Sequence, residues 1–139
     1  PTRDDARPAW VVGQDAPDLG EPNRGRGAAH AHARGFYWPY GVAWLDGRLW
    51  VADTGNRRVL AFDGLPGPEA VPALVLGQPD FTANAEHRGG DPSASSFRWP
   101  HAFALQRRAD GEPTLWVADG GSHRVLGFAC RGNSHCPDF

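Results

Sequence analysis

The residues that could do chemistry in this chain are six histidines, two cysteines and two aspartate–arginine pairs held at one spacing. His30 and His32 stand two apart, the separation that places two imidazoles on one face of a strand, where they could share a metal ion. No acidic or cysteine companion lies beside them. Cys130 and Cys136 flank five residues that include His135. That spacing leaves open a small disulfide loop, two free thiols or part of a metal site, and fits neither a CxxC redox pair nor a haem attachment motif. Asp53 and Asp119 each precede an arginine by five positions, Arg58 and Arg124. A carboxylate and a guanidinium so spaced can clamp a hairpin, with the carboxylate also accepting turn N–H groups. Recurrence of the pair reads as a structural task, because a catalytic pair would not be needed twice. No nucleophile elbow, HExxH, P-loop or dinucleotide fingerprint occurs.

An internal repeat positions all of these residues. Leu49 to Phe62 (LWVADTGNRRVLAF) and Leu115 to Phe128 (LWVADGGSHRVLGF) agree at ten of 14 positions. Phe36 to Val42 (FYWPYGV) matches Phe97 to Phe103 (FRWPHAF), and Pro8 to Gln14 (PAWVVGQ) matches Pro72 to Gln78 (PALVLGQ). Three matched segments in one order define a unit of roughly 60 to 66 residues. With 18 Gly and 13 Pro in 139 residues, the composition suits short strands and turns better than helices. Short apolar runs punctuated by Asp46-Gly47 and Asp53-Thr-Gly-Asn56 predict antiparallel strands at 42–45, 49–52, 58–62 and 73–77. The second copy predicts strands at 101–106, 115–118 and 124–128. Trp38, Trp50, Trp99 and Trp116 recur and read as core packing.

A four-stranded meander repeated in this way predicts an all-β propeller with two blades per chain, at 38–78 and 99–128. The segments WPYGVAWLDGRLWVADTGNRRVLAF and VLGQPDFT resemble the NHL-repeat family of β-propellers, in its long bacterial variant with a VLGQPDFT-type strand between blades. The resemblance covers about residues 8 to 128 and implies six blades. The second copy lacks a fourth strand, and residues 8–14 would supply one to a neighbouring blade. Four strands, three strands and that one make two whole blades, so the expected assembly is a homotrimer closing a six-bladed ring. The alternative is a fragment of a longer propeller. Long loops at 15–37 and 79–98 separate the blades, and 129–139 is a tail.

The function expected is a non-enzymatic, protein-binding or scaffold module without a cofactor. A net charge of −2 favours a protein partner over RNA. The contact region expected is the first loop, with Arg24, Arg26, His30, His32 and Arg34, together with Tyr40 and Trp44. His101 stands where the first copy has Tyr40, at the start of the innermost strand. Three copies around a ring axis could hold a divalent metal. The resemblance gives that idea a precedent, because NHL-type amidating lyases hold zinc with histidines from separate blades. A metal-dependent lyase or hydrolase is therefore the alternative function. The first residues, PTRDDARPAW, carry no apolar signal core and point to a cytoplasmic location without membrane attachment.

Overall fold

The computed structural model describes residues 7–107, 109, 111 and 113–129. These form two antiparallel sheets, with no α-helix among the described residues. The first sheet runs in chain order through β1 (Pro39–Leu45), β2 (Arg48–Asp53), β3 (Arg58–Asp63) and β4 (Leu74–Leu76). The second runs through β5 (Pro100–Arg107), β6 (Pro113–Asp119) and β7 (Arg124–Ala129). Both are blade-like meanders. The cysteine loop and the tail from residue 130 onward lie outside the described residues, so the pairing of Cys130 and Cys136 is not addressed.

Local sequence explains the turns. Asp46 and Gly47 both take positive φ, 52° and 76°, and close β1 onto β2 with Leu45 opposite Arg48. Two left-handed residues give a hairpin the twist its flanking strands need. The β2–β3 turn is a short 3₁₀ segment, Thr54–Asn56, ended by Arg57 at φ 55°. Gly120–Ser122 and His123 at φ 54° repeat it in the second sheet.

Strand alternation gives each sheet two apolar faces. On one face of the first sheet, Trp50, Val59, Ala61 and Leu76 pack with Leu115 and Val117 of the second, flanked by Phe103, Leu105, Leu126 and Phe128. This is the main core, and it joins the sheets face to face. Two polar contacts reinforce the junction. The Thr54 hydroxyl donates to the Pro100 carbonyl, and Arg107 pairs with Asp46 at 2.6 Å. The opposite face of the first sheet, built on Val51, Leu60 and Phe62, is covered in part by Val12, Phe36, Ala70 and Phe81.

Trp10–Gln14 pairs with neither sheet, although its sequence predicts a strand. The physical reason is the absence of a neighbouring strand to receive its hydrogen bonds. It is nevertheless placed as the start of a repeat. A Cβ on Gly13 would fall 2.3 Å from the Phe36 ring, and one on Gly77 would fall 2.2 Å from the Phe97 ring. In both copies glycine is required by the same close approach.

Candidate functional site

The two aspartates sit at the ends of β2 and β6 and organise the loops that lead into each sheet. Asp53 is fully buried. It accepts the Tyr37 N–H at 2.7 Å, the Asn56 amide at 2.8 Å and Arg58 Nε at 2.7 Å. Burial pushes its carboxyl above the usual range, while Arg58 and the hydrogen-bond donors pull the other way. Arg58, also fully buried, donates to the carbonyls of Phe81, His32 and Gly35. One guanidinium thus ties together both long loops. Asp119 accepts the Arg98 and Trp99 N–H groups and Arg124 Nε at 3.0 Å, and Arg124 donates to Ser96 O. Asp53 and Arg58 are thus enclosed and bonded by the fold, and Asp119 with Arg124 repeats the arrangement with the Arg124 side chain partly exposed.

The two loops share a framework that their sequences conceal. Asn23, Arg24 and Gly25 are all left-handed, and so are His87, Arg88 and Gly89. The first residue of each triplet donates its N–H to a phenylalanine carbonyl, Phe36 in one loop and Phe97 in the other. Its side chain then locks onto the β2–β3 type turn. Asn23 and Asn56 exchange amide hydrogen bonds at 2.7 and 3.3 Å. In the second copy, His87 stands there instead, with its ring nitrogens 3.1 Å from Ser96 Oγ and 3.2 Å from Ser122 Oγ. A larger first partner is matched by a smaller second one. The loops, which differ strongly in sequence, therefore share this part of their framework. The signal was present as Asn23-Arg-Gly and His87-Arg-Gly, 64 positions apart like the two GQ segments.

The residues expected to meet a partner divide into two groups. In the first loop the charges are largely neutralised internally. Arg24 pairs with Asp15, and Arg34 pairs with Glu69. His30 bonds the Arg26 carbonyl through Nδ1 at 2.9 Å, and His32 bonds the Asn23 carbonyl through Nε2 at 3.0 Å. Neither histidine is in a strand, so the spacing of two places them on no shared face. A carbonyl can only accept, so His32 carries its proton on Nε2, and its Nδ1 accepts the Arg34 N–H at 3.4 Å. Burial is the main force lowering the His32 pKa, and nearby arginines add to it. Of the three arginines in this set, Arg26 is the one with no ion pair seen among the described residues.

The second group is aromatic and outward. Trp38, Tyr40 and Trp99 are exposed, Trp38 to 66% and Tyr40 to 70%. This corrects the core reading for Trp38 and Trp99; among the four recurring tryptophans only Trp50 is buried, at 2%. The register of β1 against β2 shifts between Pro39 and Gly41, and that of β5 against β6 shifts between Pro100 and Ala102. Tyr40 and His101 are therefore the extra residues of two equivalent bulges, a device that re-aims a side chain out of the ladder. Their rings stack with centroids 4.9 Å apart. Such close approach of the first strands requires Gly41, whose Cβ would lie 2.2 Å from the His101 carbonyl. Trp38 is held at φ 50°, an uncommon conformation for a bulky residue. A cleft of about 450 Å³ opens beside Trp38, Pro39 and Tyr40. Arg98 lies over the Trp99 ring at 5.2 Å and pairs with Glu86.

Trp44 is also exposed, but on the partly covered face of the first sheet, opposite Leu49. Among the described residues no three His, Cys, Asp or Glu side chains cluster to hold a metal within one chain. None of the helical segments described is long and apolar enough to cross a membrane. Comparison of the chain with protein-family models, curated proteins and solved structures finds no match.

Proposed function

We propose that this chain is a non-enzymatic, NHL-type propeller module that binds an extended segment of a partner protein on its aromatic edge. Its two sheets are read as two blades of a six-bladed ring, completed by two further copies. The observation that carries the binding reading is the outward aromatic group at the start of adjacent first strands. Trp38, Tyr40 and Trp99 are exposed there, and equivalent bulges set Tyr40 and His101 ring to ring. A bulky residue in a left-handed conformation beside a cleft has a conformational cost that the fold alone does not require. Rigid aromatic faces give large contact area at little entropic cost, and aromatic-lined grooves suit proline-rich extended segments. An overall charge of −2 gives no phosphate-binding field.

Selection from a random peptide display library tests this reading. Binders enriched on the wild-type chain and lost on Trp38→Ala/Tyr40→Ala support it. Enrichment that the double substitution leaves unchanged, or that Arg26→Ala abolishes instead, moves the contact surface elsewhere.

A further inference from the structure

The main core of this chain is itself a junction between two copies of one repeat, and each half of that junction recurs, at least partly open, on the other side of the molecule. From the first sheet, Trp50, Val59 and Ala61 enter the junction. Their counterparts in the second sheet are Trp116, Val125 and Gly127, which share one face through the pairs Trp116↔Gly127 and Ala118↔Val125. That face is open, with Trp116 and Val125 both exposed. From the second sheet, Phe103, Leu105, Leu115 and Val117 receive Trp50. Their counterparts are Val42, Trp44, Leu49 and Val51 of the first sheet. Val42 and Trp44 are exposed, and Val12, Val42, Leu49 and Val51 line a groove of about 310 Å³.

We propose that the Trp116 face of one copy docks head-to-tail into the Val42–Val51 groove of a second copy, reproducing between chains the junction that exists within each. This rests on the ring reading above and specifies how its copies join. The N-terminal segment supports the same occupant. Gln78 Nε2 donates to Ala85 O at 2.8 Å and to Arg57 O, in the turn of its own sheet, at 3.2 Å. Gln14 Nε2 donates to Glu21 O at 2.9 Å, the equivalent of the first bond. The carbonyl equivalent to Arg57 belongs to His123, and a second copy docked in this way brings its His123 to Gln14. Trp10–Gln14 then lies beside β7 of that copy, the last strand of its sheet among the described residues, as Leu74–Leu76 lies beside β3.

The copy-to-copy junction is not identical to the internal one. Ala102 replaces Gly41 where the first strands approach, and Gly120 replaces Thr54, whose hydroxyl bridges the internal junction. The inner end must open slightly, and one hydrogen bond is lost. The inter-chain junction is therefore the weaker of the two. Head-to-tail contacts generate closed rings when the rotation closes.

The test uses two charge substitutions on exposed positions, Val42→Asp in the groove and Val125→Asp on the docking face, and measures mass by light scattering. The wild-type chain is expected at a multiple of 15.0 kDa, and each variant alone at 15.0 kDa with an unchanged circular-dichroism spectrum. Mixing the two variants leaves one intact groove and one intact docking face, so a 1:1 dimer is expected. Dimer recovery also shows that both variants are folded. A wild-type chain that stays at 15.0 kDa overturns the ring reading and the junction together, and is the result expected if a blade of a longer chain covers these faces. A wild-type oligomer that survives either substitution, or variants that fail to recombine, overturns the junction alone.

Discussion

Trp50 and Trp116 hold the same place in two copies of LWVAD, yet Trp50 is 2% exposed and Trp116 39%. On the next strand Val59 is fully buried, while its counterpart Val125 is 61% exposed. Nearly all of β3 is buried on both sides, whereas in β7 half-buried and exposed positions alternate. The segments agree in sequence where their surroundings differ most. Burial in this molecule is therefore set by what stands beside a sheet, since each sheet is apolar on both faces by composition. A repeat of this kind encodes its neighbour as much as itself.

The largest test of that contrast is truncation of the two tryptophans. Trp50→Ala should cost about 3–5 kcal/mol, the range for emptying a packed aromatic site. Trp116→Ala should cost less than about 1 kcal/mol at dilutions where the chain is a monomer of 15.0 kDa and its face is open, and more where copies assemble. Urea denaturation of both variants measures the difference. Equal losses would mean that both faces are covered in solution, and would have to accompany a mass above 15.0 kDa.

The ion pairs should follow the same order. Asp53→Asn leaves Arg58 charged, fully buried and without its carboxylate, at a cost of about 3 kcal/mol. Asp119→Asn should cost about half as much, because the Arg124 side chain is 24% exposed and keeps water as a partner. A reversal of this ranking in urea midpoints would show that the second clamp is the more protected one.

The loop locks provide a finer comparison. Asn56→Ser leaves the buried Asn23 Oδ1 without its donor, while Asn23 Nδ2 keeps the Gly27 carbonyl, and should cost about 1–2 kcal/mol. Adding Asn23→His converts the Asn–Asn lock into the His–Ser lock of the second copy, and should recover part of that loss. A coupling energy below about 0.5 kcal/mol in the double-mutant cycle would show that the two locks are not equivalent.

The smallest expected effect is the part of the pH dependence carried by His32 in the first loop. The His32 pKa is lowered in the fold from 6.5, so the unfolded chain takes up the proton first. Its contribution to stability is complete above pH 6.5 and declines as pH falls toward the lowered folded value. Urea midpoints measured between pH 7.5 and 5 should fall, and the slope should flatten in His32→Gln. An unchanged slope would place the titrating group elsewhere.

Much of the fold was legible from the residues. The ten-of-14 match and the Asp46-Gly47 signal place seven strands in two meanders, because turn chemistry and alternation act locally. The outward Trp38 and Trp99 were not legible. A repeated tryptophan reads as core wherever it stands, and only the bulge at Tyr40 and His101 reveals which part of the strand entry leaves the ladder. The first loop looked like a basic contact surface because its acidic partner Glu69 is 35 residues from Arg34 in sequence. The shared triplet of left-handed residues escaped notice because the loops span 23 and 20 residues and align only over their first part.

The lock between residue 23 and residue 56, and its counterpart between 87 and 122, has a consequence for how such a chain can be lengthened. Each lock joins the turn after one sheet's outer segment to a turn of the following sheet, so it straddles the boundary that strand pairing draws. A segment cut at sheet boundaries, from Pro39 to Leu76, carries Asn56 without Asn23, so grafting it behind the second loop would set His87 against Asn56. A duplication running from Trp10 to Phe62, or from Leu74 to Phe128, carries each matched pair intact. The unit of inheritance is thus out of phase with the unit of architecture, and a designer grafting blades between such chains should cut ahead of the outer segment and not after it.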